Sequence, residues 1–184
     1  MRTISNCYLH SNSLSNKMDN SLLDVRGINH KYIVVERKNL KMSDICVAYW
    51  SGTGNTEAMA QAIGAGITAA GKSADVVPME TISPADLKDQ AVWVLGCPAM
   101  GAEELEDGTV EPFVSELEGF ASGKKVALFG SYDWGDGEWM RTWAERMEQA
   151  GAQIVGGEGL ICHGTPGADA IDECESLGRE VAGL

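Results

Sequence analysis

Three short stretches of this chain hold more hydrogen-bonding and stacking capacity than ordinary turns need. The first is Ser51-Gly52-Thr53-Gly54-Asn55-Thr56, placed between an apolar run and a segment of helical period. Its glycines let the backbone turn N–H groups inward, and the helix start adds unsatisfied donors and a partial positive charge. The hydroxyls of Ser51, Thr53 and Thr56 can each donate once more. Such a loop suits a phosphate. It contains no Gly-Lys-Ser/Thr, so it is not the P-loop of a nucleoside triphosphatase. Glu57 stands where the dinucleotide fingerprint places its third glycine. No Lys or Arg lies in the loop, so the ligand that suits it is a small terminal phosphate held by neutral donors. The plainer alternative is a helix N-cap supplied by Thr53 or Asn55. A cap, however, needs one such residue, not three hydroxyls, two glycines and an Asn within six positions.

The second and third stretches are Pro98-Ala99-Met100-Gly101-Ala102-Glu103-Glu104 and Ser131-Tyr132-Asp133-Trp134-Gly135-Asp136-Gly137. A Trp and a Met on facing loops can sandwich a planar heterocycle, one by stacking and the other through its polarizable thioether. Alone, each piece says little. A loop Trp is more often packing than ligand contact, and an acidic run such as Glu103 to Asp107 is usually a solvated surface. Their joint occurrence with the phosphate loop, each after a strand, is what points to a site.

The elements that must position these loops follow from apolar patterning. Ile45 to Trp50 reads as a strand buried on both faces. Met59, Ala62, Ile63, Gly66, Ile67 and Ala70 recur at spacings of three and four, the buried face of a helix over Asn55–Ala70. Further strands are expected at Ala74–Val77 (stopped by Pro78), Ala91–Leu95, Lys125–Gly130 and Gln153–Cys162, the last interrupted by glycines; further helices are expected at Val110–Leu117, Glu138–Ala150 and Asp169–Ala182. This βα alternation implies a five-stranded parallel sheet with helices on both faces, and ligands of such sheets sit in loops at the carboxyl ends of the strands. Cys46 and Cys97 read as small core residues, and Met79, Met140 and Met147 as packing. Cys162 and His163, neighbours on one strand, face opposite sides and cannot act as nucleophile and base.

Composition narrows the function classes. The 184 residues are 44% hydrophobic, enough for one domain with a sizeable core, and no apolar run approaches the length of a membrane span. A net charge of −13 argues against nucleic acid and for a basic docking partner. Five widely spaced cysteines without a Cys-x-x-Cys pair suit reduced thiols in a cytoplasm, and no metal-ligand cluster is visible. Met1 to Met42 differs from the rest, with seven Lys/Arg against three Asp/Glu, much Ser and Asn, and no sustained period. It reads as a weakly structured extension. It has no apolar stretch for a secretory signal, it could compositionally be a transit peptide, or Met42 could be the true start.

Taken together, the three motifs, in this order and spacing, resemble those of flavodoxins of the short-chain type, and the resemblance covers Ser43 to Leu184. It implies a flavodoxin-like three-layer α/β sandwich, strand order 2-1-3-4-5, holding one FMN non-covalently. By that resemblance Ser51 to Thr56 hold the ribityl phosphate, Trp134 stacks on the outer ring face and Met100 lies against the inner one. The same likeness gives the Gly101 carbonyl to flavin N5–H in the semiquinone and the Glu103 carboxylate to N3–H, with Pro98, Ala99, Ala102, Ser131, Tyr132, Asp133 and Gly135 completing the ring contacts. Asp133 departs from the pattern, which usually has Gly there; if the position needs positive φ, Asp tolerates it better than most residues. Loops without Lys or Arg, surrounded by carboxylates, disfavour an anionic reduced flavin. One carboxylate about 10 Å away contributes roughly 0.4–1.7 kcal/mol, or about 20–70 mV for a one-electron step. The expectation is a low-potential one-electron carrier, monomeric and cytoplasmic, without substrate turnover of its own. It would cycle among quinone, semiquinone and hydroquinone forms and dock transiently on basic-surfaced reductases or oxidases. The alternatives are a flavin-dependent NAD(P)H or quinone oxidoreductase and a non-redox phosphate-binding domain of the same fold.

Overall fold

The computed structural model describes residues 43–184, and the expectations for Met1 to Met42 lie outside them. Five strands, β1 (Ile45–Tyr49), β2 (Ala74–Pro78), β3 (Val92–Gly96), β4 (Lys125–Tyr132) and β5 (Gln153–His163), alternate with helices α1 (Asn55–Ala69), α2 (Pro84–Leu87), α3 (Val110–Leu117), α4 (Glu138–Gln149) and α5 (Ala168–Ala182). All strand pairs are parallel, in the order β2-β1-β3-β4-β5. The expected doubly wound sheet is the one found.

Period-two alternation divides each central strand between two cores. Cys46 and Ala48 of β1, Trp93 and Leu95 of β3, and Val126 and Leu128 of β4 face a layer built with α3 and α4. Ile45, Val47 and Tyr49, Val92 and Val94, and Ala127 and Phe129 face a layer built with α1 and α5. Trp93, Trp139 and Trp143 are almost completely buried in the first layer, and burial of each such side chain contributes on the order of 2–3 kcal/mol. The indoles of Trp93 and Trp139 also donate, to the carbonyls of Leu87 at 2.8 Å and Cys97 at 3.2 Å.

The second layer is tighter. A Cβ at Gly66 of α1 would collide with the Glu175 carbonyl of α5, and a Cβ at Gly178 of α5 would collide with the Ile63 carbonyl of α1. The two helices therefore lie backbone against backbone, a contact that only glycine permits.

Most boundaries expected from the sequence stand within a residue or two. Ala70 is a correction: it follows α1 and is exposed, whereas the other five residues assigned to that face are buried. Pro78 does not stop β2 but closes it, paired with Tyr49, because an edge strand can spare an N–H. β4 runs on to Tyr132, so the first residues of the third loop belong to the sheet. β5 carries a register shift opposite Ala127 and Phe129, where the glycines interrupt it. Cys46, Cys97, Met79, Met140 and Met147 are buried packing residues. Cys162 is buried and His163 exposed, on opposite sides of their strand. No described helix is long and apolar enough to cross a membrane.

Candidate functional site

Parallel register brings the three loops to one edge. Tyr49 pairs with Gly96 and Gly96 with Phe129, and the ladder continues into the loops through Trp50 N–H to Gly96 O (2.9 Å), Cys97 N–H to Phe129 O (3.0 Å) and Ala99 N–H to Ser131 O (2.9 Å). The loops therefore start side by side.

The first loop is closed by a single local bond, Gly54 N–H to Ser51 Oγ at 3.0 Å. Gly54 takes φ +89° as the residue before α1, a conformation that L side chains rarely adopt, and no side chain caps the helix. Neither Thr53 nor Asn55 acts as a cap, so the first N–H groups of α1 stay available to an anion. Thr53 is exposed, and Ser51, Gly54 and Asn55 are half-buried around it. Thr56 departs from expectation. It is fully buried, and its hydroxyl lies 3.1 Å from that of Ser131, itself 4% exposed. One of the two hydroxyl protons makes that bond, so the pair offers one donor rather than two and ties the first loop to the third.

The second loop doubles back. Met100 and Glu104 exchange both backbone bonds at 2.9 Å, closing a tip of Gly101, Ala102 and Glu103. Glu103 sits there at φ +57°, the one described non-glycine residue in the left-handed region, at a strain of roughly 1–2 kcal/mol. Its carboxylate accounts for that conformation. Oε1 accepts from the N–H groups of Asp136 (3.1 Å), Gly137 (2.8 Å) and Glu138 (3.0 Å), so Glu103 caps α4 from another loop. A carboxylate at a helix N-terminus also meets the favourable end of the helix dipole. The side chain therefore fastens the second loop to the third, a role the sequence did not announce.

Trp134 is 61% exposed and Met100 37%, and together with Leu184 they are the large apolar side chains that the described fold leaves in water. Asp133 does not have positive φ, so the backbone at this position does not demand glycine. Tyr132 packs its ring against Trp139 at 5.6 Å and is held by the core rather than presented freely.

Two further residues belong to the site. Arg141 on α4 bonds Asp136 through its side chain (2.7 Å) and its carbonyl (2.9 Å). Asp136, with Glu158 and Glu103 beyond it, holds the guanidinium above its ordinary pKa. The loops themselves carry no cation, but this one stands beside them. His163 at the end of β5 reaches the Asp133 carbonyl at 3.0 Å. Neither lies in a loop, so loop composition does not mark them; Arg141 stands in the first turn of α4 and His163 at the end of the neighbouring strand. Glu106 also serves the second loop. Burial works to raise its carboxyl, but bonds from the N–H groups of Thr109, Val110 and Gly108 outweigh it and hold the pKa below the ordinary range. A separate cleft of about 340 Å³ is lined by Glu103, Glu104, Glu111, Trp143 and Arg146 among others; Trp134 and the first loop do not line it, so it is not the slot between the loops.

Residues 47–177 match the family model described as Flavodoxin. The chain belongs to the flavodoxin family. It is 49% identical to the flavodoxin of Megasphaera elsdenii over 74% of this chain and 96% of that protein. It is 44% identical to the flavodoxin of Clostridium beijerinckii over 75% of this chain and 99% of that protein. The solution structure of the two-electron reduced Megasphaera elsdenii flavodoxin superposes with a TM-score of 0.71 at 48% identity, covering 76% of this chain and 99% of that one. FMN is the cofactor of this family, and the loops fit it: an uncapped helix start ringed by neutral donors for the phosphate, and Trp134 and Met100 left bare for the ring.

Proposed function

We propose that this chain is a low-potential, one-electron carrier that holds one FMN non-covalently and turns over no substrate of its own. The observation that carries this reading is the exposure of Trp134 and Met100 on the loops flanking a cation-free phosphate cradle. FMN, when bound, supplies reversible one-electron redox chemistry at low potential.

The chain's own residues do the rest. Ser51, Thr53, Asn55 and the α1 N–H groups bind the phosphate without placing a positive side chain against it. Trp134 and Met100 orient the ring and exclude water from its faces, while Pro98, Ala99, Gly101, Ala102, Tyr132 and Gly135 line its edges. Glu103, braced by three N–H groups, offers its second oxygen to a ring N–H. Glu104, Asp107, Asp133 and Asp136 surround the slot with negative charge, offset in part by Arg141. That balance favours well-separated one-electron couples, the second at low potential. The same acidic rim suits brief docking in the cytoplasm, as a monomer, onto basic-surfaced reductases or oxidases.

A visible spectrum of the purified protein followed by dithionite titration tests this. The expected result is a flavin chromophore reduced in two separated one-electron waves. A colourless protein that takes up no FMN, or reduction in one two-electron wave, overturns it. Electron-transfer rates to a basic partner should fall as salt is raised; rates indifferent to salt remove the docking proposal.

A further inference from the structure

The third loop is held from the end of β5 by His163, a residue outside the phosphate cradle and the second loop. His163 is exposed, and its Nε2 lies 3.0 Å from the carbonyl oxygen of Asp133. A carbonyl oxygen can only accept, so Nε2 carries the proton, and the ring's tautomer is set by this bond. The imidazole stands edge-on to Tyr132, with centroids 5.3 Å apart and planes at 79°. The next residue, Gly164, donates its N–H to the Tyr132 carbonyl at 2.8 Å. Two successive carbonyls, immediately before Trp134, are thus gripped by His163 and Gly164, the end of β5 and the residue after it. Trp134, mostly in solvent, has little packing of its own to fix its backbone.

Resting on the flavin reading above, we propose that His163 is the positioning residue of the ring slot. Its Nε2–H clamps the Asp133 carbonyl and sets the direction in which the chain enters Trp134. The ladder of β4 and β5 ends at Tyr132 and His163, so the sheet alone does not hold Asp133; the side chain extends the sheet's grip by one residue. Without it, Trp134 must be ordered each time a ring binds, and affinity falls accordingly.

The test compares the full-length wild type with His163→Gln, which keeps an N–H of similar reach, and His163→Met, which keeps the length but not the donor. Both changes are at an exposed position, so the fold should persist, and a thermal melt of each apoprotein verifies it. FMN affinity is read from quenching of flavin fluorescence, and loop order from deuterium uptake at residues 133–135. The expected result for His163→Met is roughly three- to tenfold weaker binding, a changed flavin circular dichroism and faster exchange at those amides, with exchange in β1 and β3 unchanged. His163→Gln should restore most of each. The proposal is overturned if the Met variant binds and exchanges like wild type, or if the Gln variant is as impaired as the Met one. If wild type itself takes up no FMN, it is the flavin reading that fails; if wild type binds and the Met variant matches it, only the role of His163 does.

Discussion

The phosphate cradle and the ring slot lie at the same sheet edge but are built by different means. The cradle is mostly local: six consecutive residues, closed by a bond between positions three apart, at the head of the helix that follows them, with one distant tie from Thr56 to Ser131. The slot is assembled from a distance. Glu103 grips backbone 33 to 35 residues downstream, and His163 grips Asp133 from 30 residues downstream. The difference teaches where each half is vulnerable. The cradle should fail chiefly to changes within itself, whereas the slot should also fail to changes in residues that hold its loops from a distance.

Thr53→Asp attacks the first half most directly, by setting a carboxylate against the bound phosphate from an exposed position that the fold does not need. At contact distance and an effective dielectric near 20 the repulsion reaches several kcal/mol, so FMN affinity should fall by about 100-fold or more, with the apoprotein's melting temperature unchanged. Isothermal titration would measure it; wild-type affinity would contradict the location of the phosphate. Trp134→Ala removes the stacking face, and titration with FMN should give a loss of about tenfold to fiftyfold.

Glu103→Ala and Ser51→Ala, side by side, sharpen the contrast between local and distant construction. Losing the carboxylate leaves three N–H groups at the head of α4 without their acceptor and the left-handed turn uncompensated. The domain should lose about 1–2 kcal/mol, with hydrogen exchange rising at residues 136–138. Ser51→Ala should cost under about 1 kcal/mol and change exchange only near Gly54.

The smallest effect is acid sensitivity. Glu106 is held below the ordinary carboxylate range by three N–H groups against the pull of burial, and Glu111 is held below it chiefly by its bond to Arg146. A carboxylate with a depressed folded pKa stabilises fully above the unfolded value and loses that contribution as pH falls through the folded one. Melts recorded from pH 5 downward should therefore show stability falling below about pH 4, with exchange rising first around α3 and the second loop. Equal loosening at the first loop, whose closing bond contains no titrating group, would contradict this.

How much could be read in advance follows the same division. Strands buried on both faces, a helix with a three-and-four repeat, and a dense cluster of Ser, Thr, Gly and Asn are written in neighbouring residues, and so were legible. Ala70 and Pro78 were misplaced only at element ends, where periodicity runs out. The one-turn helix at Pro84–Leu87 is too short to show a period, although Ser83 and Asp86 form a capping box around it. In the slot, Met100 and Trp134 could be picked out by type. The bracing of Glu103, the pairing of Thr56 with Ser131 and the neighbourhood of Arg141 and His163 depend on tertiary geometry, which no local spacing encodes.

The glycine contact between α1 and α5 ties the phosphate loop to the last helix. The helix that presents Ser51 to Thr56 rests, backbone on backbone, against Gly178, a few residues from the end of the chain. A side chain introduced at Gly178 is therefore expected to push α1 aside and unsettle the phosphate loop at its head, more than 120 positions earlier.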